Sequence, residues 1–87
     1  MSVVRIPSPL FSYTEARAEV EGRGATLGEV LADLDRRYPG LRFRIVDEQD
    51  RIRPTIVITV SGERASGIST PVSASDVVQI VAALSGG

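Results

Sequence analysis

At 87 residues, with 43% hydrophobic and 24% charged side chains, the chain has the composition of one folded domain and not of a disordered segment. It contains no Cys and no His, and all 10 basic residues are Arg, which removes thiolate nucleophiles, imidazole bases, disulfides, Schiff-base lysines and the usual zinc ligands. A net charge of −1 lacks the field that draws proteins to nucleic acid or anionic lipid, and a core this small leaves little room for a self-contained enzyme pocket.

Met1 to Pro7 offers neither the roughly 7–15 apolar residues of a signal peptide nor the ~20 of a membrane span. The expectation is a cytoplasmic protein with no membrane and no nucleic-acid partner. Ser2 to Ile6 is β-branched and stopped by Pro7 and Pro9, as a first strand would be. Ala16 to Glu21 alternates Ala16, Ala18 and Val20 with Arg17, Glu19 and Glu21, the period of a strand with one wet face. The two predict a hairpin joined by a long connection, Ser8 to Glu15.

Thr26 to Tyr38 carries Leu27, Val30, Leu31, Leu34 and Tyr38 on one helical face, with the charges off it. Thr26 and Glu29 form a capping box, Arg36 and Arg37 suit the last turn, and Pro39-Gly40 ends the helix. Leu41 to Pro54 mixes seven charges among a few aliphatics and reads as a surface connection with one helical turn around Phe43 to Val46. Ile56 to Val60 is the strongest strand, Glu63 to Ala65 can pair back as a short edge, and Ser66 to Ser75 is a Gly/Ser/Pro loop.

Asp76 opens a last apolar run, Val77 to Leu84, that favours strand. The order is β-β-α-β-β-β, an α+β chain whose mixed sheet wraps one main helix. Val4, Ile6, Val20, Ile56, Ile58, Val60, Val78 and Ile80 are the side chains expected to cover that helix.

With side-chain catalysts excluded, the carboxylate of Gly87 stands out. Glycine lacks Cβ, so Gly86-Gly87 enters a slot too narrow for other dipeptides. Ser85 to Gly87 spans on the order of 10 Å at ~3.3–3.6 Å per residue, enough to reach a partner's active site. A carboxylate is a poor electrophile, whereas an acyl-adenylate made from ATP is a good one, and the partner supplies the acid, base or metal. A frayed end is the alternative for terminal glycines; here they follow an apolar strand without a linker.

The run Asp76-Val77-Val78-Gln79-Ile80-Val81-Ala82-Ala83-Leu84-Ser85-Gly86-Gly87 resembles the ending of ubiquitin-like sulfur carriers of the MoaD/ThiS type. The likeness extends through Ile6-Pro7, Thr26-Leu27-Gly28-Glu29-Val30, Leu34, Tyr38 and Ile56 to Val60 with Ser61-Gly62-Glu63. The long charged connection looks most like the subset serving cysteine biosynthesis, with the molybdopterin synthase small subunit next.

The resemblance implies a ubiquitin-like β-grasp over residues 1–84, with a four- to five-stranded mixed sheet whose first and last strands lie side by side and parallel, and a flexible tail over 85–87. It also implies adenylation of Gly87 by an E1-like enzyme that uses ATP, and conversion to a thiocarboxylate. The sulfur would then pass to a partner synthase, of the cysteine synthase type or a molybdopterin synthase large subunit. The chain itself would be a co-substrate and not an enzyme, would bind no cofactor or metal, and would be a monomer or a heteromer with its synthase. Gly87 would bear the sulfur, with Gly86 and Ser85 threading the tail. Relatives often carry prolines where Ala82 and Ala83 stand, glycines near Glu15 and Ala16, and an Asn-like residue near Ser61.

Two other readings of the same features are a modifier joined to target lysines and a plain β-grasp interaction module. Alternation points Val57 and Val81 away from the helix, with Leu84 a further candidate beside them, an apolar patch suited to docking unless the long connection covers it. Phe11, with Tyr13, is an aromatic of the kind interfaces use, though small cores also recruit loop aromatics. Arg42, Arg44, Arg51 and Arg53 read first as a solvated loop, with steering towards an acidic enzyme surface as the alternative.

Overall fold

Strand β1 (Ser2–Arg5) and strand β2 (Glu19–Gly22) form the expected hairpin, with Val4 opposite Val20 and Arg5 opposite Glu19. The computed structural model describes residues 1–82. The second strand starts later than the alternation from Ala16 predicts. The connection is also more ordered than a loop: Ser8–Tyr13 winds into a 3-10 helix with proline in its first turn, where a missing N–H costs nothing, and it buries Leu10.

Glu15 and Ala16 follow with φ of 55° and 65°, left-handed values that a Cβ disfavours. Ala16 N–H donates to Phe11 O at 2.8 Å and Arg17 N–H to Thr14 O at 3.0 Å, so these residues bond back onto the helical turn instead of extending. The buried Thr14 hydroxyl closes the turn on Arg17 O at 2.9 Å. The resemblance drawn from the sequence implies glycine near these positions, and a positive φ is a backbone state that glycine adopts without strain.

Helix α1 (Leu27–Arg37) matches its prediction, with Leu27, Val30, Leu31 and Leu34 buried. Its first turn is capped from two sides. Thr26 Oγ1 accepts from Glu29 N–H at 3.2 Å, while Leu27 N–H and Gly28 N–H donate to Thr70 O and Ile68 O at 2.9 and 2.8 Å. The Glu29 carboxylate accepts from Ala25 N–H at 2.8 Å, one residue before the cap. Gly28 permits the close approach, because a Cβ there would stand 3.3 Å from Ile68.

The stretch from Leu41 to Pro54 corrects the sequence reading. It is not a surface connection: helix α2 (Leu41–Ile45) starts two residues earlier than expected, and Leu41, Ile45 and Val46 are completely buried. Asp35 Oδ1, on α1, accepts from Gly40 N–H and Arg42 N–H, each at 3.1 Å, and so caps the second helix from the first. Asp47 then folds the charged residues into a tight turn by accepting from Gln49 N–H and Arg51 N–H at 2.9 and 3.0 Å.

Strands β3 (Ile56–Val60), β4 (Glu63–Arg64) and β5 (Val77–Ala82) complete a five-stranded sheet in the order β2-β1-β5-β3-β4. The first and last strands are parallel neighbours, Val4 opposite Val78, and the other pairings are antiparallel. This is a mixed sheet on one main helix, the expected β-grasp order. All eight sheet residues expected in the core are buried, and Leu10, Leu41, Ile45, Val46, Ala65 and Val72 join them.

Candidate functional site

Strand β5 is the central strand of the sheet and leads towards the C-terminus. Ala82, the last described residue, stands opposite Ile56 and packs against the core. Leu84, Ser85, Gly86 and Gly87 lie outside the described residues. What the structure places is their root.

The strand is pinned where it begins. Asp76 accepts from Ser73 N–H and Ser73 Oγ at 2.8 and 3.0 Å and from Ser61 Oγ at 2.7 Å, and Ser61 N–H donates to Val77 O at 2.8 Å. The Ser73 amide, then the two hydroxyls, hold the carboxyl of Asp76 below the usual carboxylate range. Ser61 makes these bonds from a left-handed backbone, φ 48°, a conformation that Asn also tolerates. β5 is thereby clamped at its start by the turn after β3 and along its length by strands on both sides.

The sheet face turned away from α1 follows the period-two alternation. Val81 is 43% exposed and stands directly opposite half-buried Val57, beside the root of the tail. Further along lie Gln79 opposite Thr59 and Arg5, then Val77 opposite Val3. The long connection leaves Val81 open, since it spends its aliphatics Leu41, Ile45 and Val46 on the core. A groove of about 280 Å³ beside the end of β5 is lined by Arg5, Pro7, Pro9, Gln79, Val81 and Ala82, among others. Phe11 belongs to a different element, the 3-10 helix, and its half-buried ring packs against the core.

The four arginines of the connection divide into two pairs. Arg42 bonds Asp50 at 2.9 Å and Arg51 approaches Asp47 at 3.5 Å. Arg53 instead lies over the ring of Phe43, 4.5 Å from its centre, and Arg44 lies 5.7 Å from that of Tyr13. In the sequence the four form one charged run, and only the folded arrangement of Asp47, Asp50, Tyr13 and Phe43 separates them. Among the described residues, no group of three or more acidic side chains gathers to hold a metal, and no helix is long and apolar enough to cross a membrane.

The profile of the ThiS family matches residues 4–87, nearly the entire chain. The chain belongs to the ThiS family. This ThiS-family chain is 32% identical to the sulfur carrier protein CysO of Mycobacterium tuberculosis and of Mycobacterium bovis, over 97% of its own length and 96% of theirs. The crystal structure of Mycobacterium tuberculosis CysO superposes with a TM-score of 0.90 at 29% identity, covering 97% of this chain and all (100%) of that one.

CysO in the Amycolatopsis orientalis BexX/CysO complex superposes at 0.92 with 30% identity, covering 100% of both chains. Small archaeal modifier protein 1 of Haloferax volcanii, 24% identical, shares the fold with a TM-score of 0.77 over 99% of this chain and 98% of that one. The ubiquitin-like β-grasp is therefore the fold of this chain, and a CysO-type sulfur carrier is what it is homologous to.

Proposed function

We propose that this chain is a protein co-substrate whose working atoms are the C-terminal carboxylate of Gly87. An oxygen of that carboxylate attacks the α-phosphorus of ATP in an E1-like partner, pyrophosphate leaves, and Gly87 becomes an acyl-adenylate. A sulfide equivalent attacks the carbonyl carbon, AMP leaves, and a thiocarboxylate remains. Its sulfur adds to the electrophilic carbon of a polarised double bond in an acceptor held by a partner synthase, the π electrons pass to the far atom and are protonated there, and a thioester to Gly87 results. Water then cleaves the acyl–sulfur bond, releasing the sulfur with the product and restoring the carboxylate. ATP is bound by the partner. The chain contributes delivery, and Gly86 and Ser85 let the end pass through a narrow channel.

The observation that carries this reading is the family match, which runs through residue 87, together with likeness to CysO over nearly the full length. The cysteine synthase type of acceptor fits that likeness better than a molybdopterin synthase large subunit does. The CysO in complex with BexX supports a heteromeric working state. Val57 and Val81 form the apolar centre of the docking face, with Leu84 and the half-buried Phe11 as further contacts for the partner.

The test is intact mass spectrometry after incubation with ATP, a sulfur donor and the adenylating enzyme. Replacement of one oxygen by one sulfur is expected at the C-terminus of the full chain and not in a chain lacking Gly87. Equal behaviour of the two would refute the carrier role, and isopeptide adducts on target lysines would point to a modifier instead.

A further inference from the structure

Five salt bridges among the described residues engage Arg5, Arg36, Arg37, Arg42 and Arg51. Arg17, Arg23, Arg44, Arg53 and Arg64 have no carboxylate partner among those residues, and of these Arg44 and Arg53 are held against aromatic rings. Arg53 Nε donates to Phe43 O at 2.7 Å while its guanidinium stacks on the Phe43 ring, and Arg44 is set against Tyr13. Stacking fixes a guanidinium without neutralising it, so its forward N–H groups remain available to an outside anion.

Their position is specific. Arg44 and Arg53 line one groove of about 300 Å³ with Pro9, Leu10, Thr55 and Ile56. Ile56 is the residue opposite Ala82, so the two cations stand beside the last described residue of β5. Phe43, 52% exposed, adds an apolar surface against Arg53. The other residues that line the groove are uncharged, so no carboxylate there offsets the two cations.

We infer that Arg44, Arg53 and Phe43 form an electrostatic docking site for a carboxylate-bearing rim around the channel of the adenylating enzyme that takes the tail. This rests on the carrier reading above and adds a partner surface of stated chemistry to it. Fork-shaped guanidiniums pair with carboxylates bidentately, and cations beside the tail orient the encounter so that the tail meets the channel first. The exposed Phe43 ring beside Arg53 supplies the contact that is desolvated once the charges have engaged.

The test measures the association rate of the full chain with its adenylating enzyme by stopped-flow fluorescence across roughly 0.05–0.5 M salt. Arg44→Glu with Arg53→Glu is expected to slow association at low salt about tenfold or more and to remove most of the salt dependence. Arg44→Gln with Arg53→Gln gives a smaller loss in the same direction. Arg17→Glu with Arg23→Glu makes the same change of net charge on exposed residues away from the groove, and is expected to stay within about threefold of wild type.

Circular dichroism reports folding of each variant. Equal rates for the groove pair and wild type, or equal losses in both Glu pairs, overturn the docking site. The two readings separate at saturating enzyme: the groove variants still exchange oxygen for sulfur at Gly87 if only docking is impaired. A wild-type chain that never does so refutes the carrier reading itself.

Discussion

The hydroxyl of Ser61 donates to Asp76 Oδ1 at 2.7 Å across 15 residues of chain. The bond ties the turn after β3 to the residue that launches β5. Asp76 begins the motif by which the chain resembles sulfur carriers, and its part in that motif is structural: it sets the register of the strand that bears the tail.

Replacing Asp76 by Ala leaves the Ser73 amide and two hydroxyls without their acceptor. The urea midpoint is expected to fall. Because the folded-state pKa of Asp76 is lowered, its stabilisation is present above the ordinary carboxylate pKa and fades as pH drops. Wild type and variant should therefore converge in acid, as urea titrations at several pH values would show.

Ala16→Gly is expected to stabilise the protein. Relief of a left-handed Cβ, φ 65°, is worth roughly 1–2 kcal/mol, and the extra freedom of glycine in the unfolded chain returns up to ~1 of it. A net gain of up to about 1 kcal/mol should raise the thermal midpoint by several degrees.

Asp33 accepts from the Arg23 amide at 2.9 Å and pairs with Arg36 and Arg37 at 2.6 and 3.0 Å. The amide first, then Arg36 and the charge of Arg37, lower its pKa from 3.8 to about 2. A depressed folded pKa means that stability is fully present above the unfolded value and is lost as pH falls from near 4 towards 2. Asp33→Asn should cost about 1–2 kcal/mol at neutral pH and flatten that acid limb in denaturant titrations.

Ile45→Ala removes a completely buried side chain and should cost about 2–5 kcal/mol. Phe43→Ala, on the exposed side of the same helix, should stay within about 1 kcal/mol. If the two variants unfold alike, α2 is not part of the core.

Val81→Glu places a charge on the open sheet face beside the tail root. Folding is expected to be nearly unchanged, since the side chain is 43% exposed, while affinity for the carrier's partner enzyme drops at least tenfold in a titration.

Periodicity made much of the fold legible. The 3.6-residue stripe of α1 and the alternation of β3 and β5 are long enough to dominate their surroundings, and they also separated Val57 and Val81 from the core face. The connection 41–54 was opaque for the opposite reason. Leu41 and Ile45 do stand four apart, but a helix of 5 residues is too short to show a stripe and exists only because tertiary packing and the Asp35 cap hold it.

The left-handed residues Glu15 and Ala16 carry side chains that give no hint of positive φ. Only likeness to glycine-bearing carriers marks them. At the candidate site, Gly86 and Gly87 were conspicuous by chemistry alone, whereas Arg44 and Arg53 could be told from Arg42 and Arg51 only once the structure showed which carboxylates were already taken.

The parallel pairing of β1 with β5 has a mechanical consequence. A pull that draws the two ends of the chain apart loads the bonds between Val3–Arg5 and Val77–Gln79 in shear, so that they must rupture together and not peel one at a time. β3 holds the other side of the same strand. Extension from the two ends therefore meets a seam that yields only as a unit, and the body of the domain is braced along the axis on which its C-terminal strand points.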